Sequence, residues 1–269
     1  MTVRFTIVMN GGACAPYVAR AIASLRAQSC TEWEAFVTID PCGDDAYERA
    51  VAAADGDPRF HIVRNEERAF AMENVVRAVR RPGGDPDDVI VILDADDWLA
   101  TESALDVVAR TYARQETWLT YGSWASNVPH GNQGRWPAYP DGTSGFRVFE
   151  WRGTALRTFR RWLFQRIDDR DLRDDEGRYF RLVEDQAYML PMLEMATTRR
   201  ARHIPDVLMI YNRTNPHAAG ATRPEEMRRT AASIRARRPY APIHNEPAAT
   251  VYEERGGPSW RHNRPLPEP

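Results

Sequence analysis

The sequence contains no lysine: all 36 of its Lys and Arg residues are arginine. That removes a Schiff-base lysine and the lysine of a P-loop as routes to catalysis. Cysteine is scarce as well. Cys14, Cys30 and Cys42 are odd in number and show no Cys-x-x-Cys spacing. A zinc ribbon or a disulfide framework is therefore not expected, and a reducing cytoplasm fits. No apolar run approaches ~18 residues, so no integral membrane segment is expected. Met1-Thr2-Val3-Arg4-Phe5 enters a strand at once, so no signal peptide is expected either. The net charge is only -2 at pH 7, too small to invite nucleic acid or an anionic membrane. What is present is enough apolar side chain, 43% of the residues, to build a packed core. A length of 269 residues suits one large α/β domain, or one domain with a subdomain.

The most informative stretch is Val89-Ile90-Val91-Ile92-Leu93-Asp94-Ala95-Asp96-Asp97-Trp98. A short β-branched and aliphatic run reads as a strand buried on both faces, as in the middle of a parallel sheet. It ends at three carboxylates in four positions. In open parallel sheets ligands bind beyond the carboxyl ends of the strands. Acids clustered there repel one another unless a cation sits among them. A hard divalent ion, Mn²⁺ or Mg²⁺, takes oxygen ligands and shares them with a substrate phosphate. The plainer alternative is a solvated strand-to-helix turn with one acid as a helix cap.

Around this stretch the chain alternates strand and helix. Phe5 to Met9 is a first strand, broken by Asn10-Gly11-Gly12-Ala13. A helix follows from Pro16 to about Gln28, then a strand from Trp33 to Ile39 ending at Asp40. This is a βαβ unit, hence parallel and right-handed. A short helix (46–54), a short strand (60–63), a helix (69–80) and the central strand (89–93) complete a doubly wound pattern. Beyond it a helix is expected from Thr101, acting as cap, to about Gln115, and a strand at 117–121. The pattern then dissolves between Gly122 and Gly145, in a stretch rich in Gly, Pro and aromatic residues. Further on a strand is expected at 146–149, helices at 154–167, 187–195 and 224–237, and a last strand at 207–211. The expected organisation is one domain over 1–239, with a nucleotide-binding half (1–121) and an acceptor-binding half (122–239), and an extended tail at 240–269.

Four pieces in this order resemble the family 2 type of GT-A glycosyltransferase, the inverting enzymes that use nucleotide-sugars. They are the first βαβ unit ending at Asp40; Asn65 to Asn74, similar to the family's Asn-x-Gly-x-x-x-Ala-x-Asn turn and helix; Asp94-Ala95-Asp96-Asp97, which looks like its DxD motif; and Glu184-Asp185, which looks like its catalytic Glu-Asp motif. The resemblance covers roughly residues 5 to 215. It implies an α/β fold of the Rossmann-like GT-A kind, a mostly parallel sheet flanked by helices with a C-terminal helical region on the acceptor side. Two features depart from the family. Its Pro-Thr-Tyr-Asn after the first strand is Asn10-Gly11-Gly12-Ala13 here, and of the paired acids usual after the second strand only Asp40 stands at the strand end. The Gln-x-x-Arg-Trp motif of processive synthases is absent after Asp185, which implies transfer of one sugar per encounter.

The resemblance also implies roles. Asp96 is the expected direct metal ligand, and Asp94 faces the ribose or the metal through water. Asp97 is a second ligand or a helix cap. His217 lies in the loop where some relatives place a further metal-binding histidine, though the family's spacing falls nearer Asn215. Asp185, opening a helix, is the expected general base, taking the proton of the acceptor hydroxyl. Asp40 would accept from the N3–H of uracil, or is simply a turn-forming acid. Asn65, Asn74 and Ala95 belong to the donor-binding motifs. Arg213 is the arginine best placed for the diphosphate, ahead of Arg68, Arg157, Arg160 and Arg161, because a guanidinium fork suits phosphate. Trp124, Trp136 and Tyr139 could form a sugar-stacking platform, and Trp151 reads as core. The expected reaction is transfer of a single sugar, from a UDP-sugar by preference, to a hydroxyl on a glycan, lipid-linked sugar, protein or natural product. A homodimer is compatible with the sequence. Two other readings are a sugar-1-phosphate nucleotidyltransferase, which needs a basic phosphate loop after the first strand, and a catalytically silent nucleotide-sugar-binding scaffold.

Overall fold

Phe5-Thr6-Ile7-Val8-Met9 has no polar face to give to water, and it forms β1 (Phe5–Gly11), buried along almost its whole length. β4 (Val89–Asp94) is built the same way and pairs with β1 in parallel, from Phe5 opposite Val89 to Asn10 opposite Asp94. Two-sided burial is what a strand covered by helices on both faces requires. Phe5, Ile7, Met9, Val89, Val91 and Leu93 face one core with helix α1 (Val18–Arg26). Val8, Ile90 and Ile92 face the other, with helix α3 (Phe70–Val79). Each such aliphatic side chain contributes about 1.5–3 kcal/mol by leaving water. This computed structural model describes residues 3–114, 116–128, 134–218 and 222–244.

The remaining elements are β2 (Trp33–Ile39), α2 (Ala46–Ala54), β3 (Phe60–Arg64), β5 (Trp98–Leu99), α4 (Ala104–Ala113), β6 (Leu119–Ser126), β7 (Arg157–Arg160), α5 (Arg161–Gln165), α6 (Glu184–Arg200), β8 (Ala201–Tyr211) and α7 (Pro224–Ala236). The strands form one eight-stranded sheet in the order β3-β2-β1-β4-β7-β6-β8-β5. The fold is α/β, as expected, but the sheet is mixed. The β3-β2-β1-β4 side is parallel throughout. Beyond β4, β7 runs antiparallel to both β4 and β6, β8 is parallel to β6, and β5 is antiparallel to β8.

Several sequence expectations need correction. The helix expected at 154–167 is β7 followed by the five residues of α5. The strand expected at 146–149 is a turn, with the Val148 and Phe149 N–H groups donating to Gly145 O. α4 starts at Ala104 after Ser103, so Thr101 does not cap it. The last strand begins at Ala201, six residues ahead of the apolar run that revealed it. Of the tail, 240–244 packs on the body. Tyr240 Oη donates to Asp171 at 2.6 Å, and Ile243 N–H donates to Met195 O at 2.9 Å. Residues 245–269 lie outside the described residues. Among the described residues no helix is long and apolar enough to cross a membrane.

Candidate active site

β4 leaves the core at Asp94, and the chain turns tightly there: Ala95 N–H donates to Asn10 O (2.9 Å) and Asp97 N–H to Asp94 O (3.0 Å). The turn holds three carboxylates near one another. Burial, then Asp96, Arg157 and Asp185, set Asp94, whose carboxyl is pushed up to about 6. Asp96 is also raised, chiefly by burial. Asp97 is raised well above the usual carboxylate range by burial and by its two neighbours. Protons are held here because charge is crowded in a low-dielectric place. The three acids do not serve alike. Asp97, 2% exposed, accepts the Asn212 N–H at 2.7 Å, which ties the chain beyond β8 to the end of β4. Asp97 also lines the cleft, beside Asp94 and Asp96. Ala95 is fully buried and acts as a spacer, its side chain within reach of Gly11.

Across the cleft, Val183 takes a left-handed backbone (φ 56°) and α6 starts at Glu184. Glu184 and Asp185 thus stand in the first turn, where the helix dipole favours negative charge. Arg157 of β7, beside β4, donates to Asp185 Oδ2 at 3.3 Å. Burial works against the Arg157 charge, but Tyr188, Asp185 and Asp94 outweigh it and hold the guanidinium more firmly protonated than usual. Glu184 is pushed up to about 7 by burial, Asp185 and Asp94. Nothing in the sequence singled out Arg157 as the partner of Asp185. The expected helix at 154–167 hid the strand that carries it.

Asp40 follows β2 and is 4% exposed. Its Oδ1 accepts from Asn65 Nδ2 (2.7 Å) and Ala69 N–H (3.2 Å), and its Oδ2 from Phe70 N–H (2.8 Å). Asn65 Nδ2 also reaches Asn74 Oδ1 at 2.9 Å. Asp40 therefore satisfies two of the orphan N–H groups at the start of α3. A carboxylate has about four acceptor sites, so Oδ2 keeps one for a ligand. Asp40 and Asn74 line the cleft, whereas Asn65 braces them from behind.

The loop after β8 supplies the rim. Asn215 Nδ2 donates to Asp96 Oδ2 at 2.8 Å, and His217 N–H donates to Asn215 Oδ1 at 3.0 Å. His217 is exposed and lines the cleft, while Arg213 is exposed and does not. Among the described residues no group of three or more His, Cys, Asp or Glu side chains could hold a metal ion. Trp124 and Trp151 line the cleft. Tyr139, in contrast, is buried in the core, and Trp136 is exposed outside the cleft. Arg160 and Arg161 are tied to backbone of the 79–88 stretch and take no part.

Asp40, Asp94, Asp96, Asp97, Glu184 and Asp185 thus surround one cleft of about 610 Å³, with Arg68 and Arg181 on its wall. A second cavity of about 940 Å³ adjoins it at Ala13, Arg68 and Asn215. The volume suits a ligand of nucleotide size. Asp185, on α6, lines the same cleft as the acids after β4.

Comparison with known proteins agrees with this fold. TarS from S. aureus, solved in complex with UDP-GlcNAc, superposes with a TM-score of 0.64 at 16% identity, covering 86% of this chain and 66% of that one. The mannosyltransferase PcManGT from Pyrobaculum calidifontis, solved with GDP-Man and Mn²⁺, gives 0.54 at 17% identity, over 78% of this chain and 57% of that one. The chain therefore spans about two thirds or less of these structures, and identities this low speak for the fold alone. No curated protein sequence matches the chain. The pattern of glycosyl transferase family 2 matches residues 6–172, well over half of the chain and including the Asp94–Asp97 turn, so this chain belongs to glycosyl transferase family 2.

Proposed function

We propose that the protein transfers one sugar from a nucleotide-sugar, UDP-sugar by preference, to a hydroxyl of an acceptor with inversion at the anomeric carbon. The observation that carries this reading is that Asp185 lines the same cleft as Asp94 and Asp96. An inverting displacement needs a base on the face of the sugar opposite the leaving diphosphate. Asp185 takes that role: it accepts the hydroxyl proton as the acceptor oxygen attacks, and Arg157 orients its carboxylate. Trp124 and Trp151 offer ring faces to the acceptor.

Asp96 fits a divalent cation. Its carboxylate offers hard oxygens, the kind that Mn²⁺ or Mg²⁺ takes beside water and substrate phosphate. Mn²⁺ or Mg²⁺ held there supplies Lewis-acid stabilisation of the leaving diphosphate. His217, in the loop after β8 that also carries Asn215, is the further candidate ligand on the rim. A nucleotidyltransferase is less well supported, because residues 10–17 after β1 carry no basic side chain.

The test is thermal unfolding with UDP-, GDP- and dTDP-sugars, each with and without Mn²⁺. Ligand at 100 times its Kd stabilises the folded state by about 2.7 kcal/mol. The expected result is a rise with the UDP-sugar that requires Mn²⁺, followed by turnover of the same donor. If no nucleotide shifts the midpoint, the donor reading fails. If one shifts it and no acceptor supports turnover, the protein is a silent binder.

A further inference from the structure

Asn10 is 8% exposed, and neither its Nδ2 nor its Oδ1 has a hydrogen-bond partner. Buried amides are almost always paired, so an amide left open on both sides needs an explanation. Alternation along β1 puts Asn10 on the same sheet face as Val8, the face covered by α3. Its register neighbours are Thr38 on β2 and Asp94 on β4, and it lines the cleft. The buried unpaired groups of Tyr188 and Asn212 do not reach that cleft.

We infer that Asn10 is a nucleoside-binding residue whose side-chain amide reads the ribose diol of the donor. The inference rests on the donor reading above. With the base toward Asp40 and the diphosphate toward Asp96, the sugar of the nucleoside crosses the floor between them, which is where Asn10 and Asp94 stand. A hydroxyl both donates and accepts, and an amide offers one of each. Asp94 offers acceptors only when ionised, so the amide supplies the donor that the acid lacks. The resembling family has proline in this place, which has no side-chain polar group. The assignment therefore comes from this chain's own departure.

The test is calorimetric titration of the full chain, in Mn²⁺, with UDP, 2′-deoxy-UDP and 3′-deoxy-UDP. Wild type is compared with Asn10→Ala and with Asn10→Val, an apolar residue at ease in a strand. Wild type should bind UDP roughly 3- to 10-fold more tightly than at least one deoxy analogue, as one neutral hydrogen bond would give. Asn10→Ala should weaken UDP by a similar factor, leave that analogue unchanged and so erase the preference. Asn10→Val gives the same reading if the alanine variant fails to fold. A wild type that does not distinguish the three ligands overturns the inference without any variant. So do variants that keep the wild-type ratios while nucleotide binding persists. If wild type binds no nucleoside diphosphate, the donor reading falls and Asn10 falls with it.

Discussion

The two sides of the sheet differ in how they are held. From β3 to β4 every strand pair is parallel, and β1 and β4 are clad on both faces by aliphatic side chains. From β7 to β5 directions mix, and beside its apolar and aromatic core this side carries a buried ion pair. Arg147 meets Glu194 through Nε (2.7 Å) and Nη2 (3.0 Å), and it also donates to Ile234 O. Tyr240 N–H completes the group on Glu194 Oε2 at 3.0 Å. Aliphatic packing tolerates variation in shape. A buried ion pair does not tolerate loss of a partner. The parallel side offers the strand ends at which we propose a nucleotide binds, and the mixed side brings Asp185 and Arg157 to the same cleft.

Three experiments press on that contrast. The largest effect is expected on chemistry. Asp185→Asn should lower turnover by about 10²- to 10⁴-fold, the span of general-base catalysis, while UDP affinity stays near wild type. Steady-state rates set beside nucleotide titration measure this, and an equal loss in both would mean that Asp185 serves binding. Next comes stability. Glu194→Ala strands Arg147 in the core and should destabilise by about 3–5 kcal/mol, read from urea unfolding. Because one sheet runs through both sides, the loss should appear in a single transition. Two separate transitions would show that the halves fold independently.

The smallest effect concerns pH. Asp94 and Glu184 are raised to about 6 and about 7, against roughly 3.9 and 4.3 in an unfolded chain. The folded chain thus holds these protons to higher pH. Their contribution to stability is complete below about pH 4 and is lost as pH rises through 6 and 7. Without metal, Tm should fall between pH 5 and 8 from this source. Over the same interval the stabilisation by Mn²⁺ with UDP should grow, since the metal needs ionised carboxylates. A Mn²⁺ shift that stays flat with pH would detach the cation from these acids.

The same contrast decides what the sequence could reveal. β1, β2 and β4 were legible because two-sided burial leaves a run of apolar residues with no competing period. Arg157-Thr158-Phe159-Arg160 was not, because Leu156, Phe159, Leu163 and Ile167 fall at near-helical spacing across the strand and the short helix. The front of β8 was hidden by Arg202, His203, Pro205 and Asp206, which interrupt its apolar character. In the site, short motifs marked Asp94, Asp96 and Asp185, whose chemistry follows from neighbours in the chain. Arg157 acts through a partner distant in sequence, and no spacing announces it. Arg213 shows the opposite failure: a loop position that suited phosphate in sequence stands outside the cleft.

The carboxylate after β2 has a practical consequence for anyone probing this molecule. Asp40 anchors the opening of α3 through two main-chain amides and the Asn65 side chain. Removing it would unmoor that whole segment, wall and all, before a purine or pyrimidine ever arrived. Poor nucleotide uptake in such a variant would report a slackened scaffold as readily as a missing contact. A substitution that keeps Asp40 and alters only what faces the ligand, as at Asn10, is the cleaner instrument.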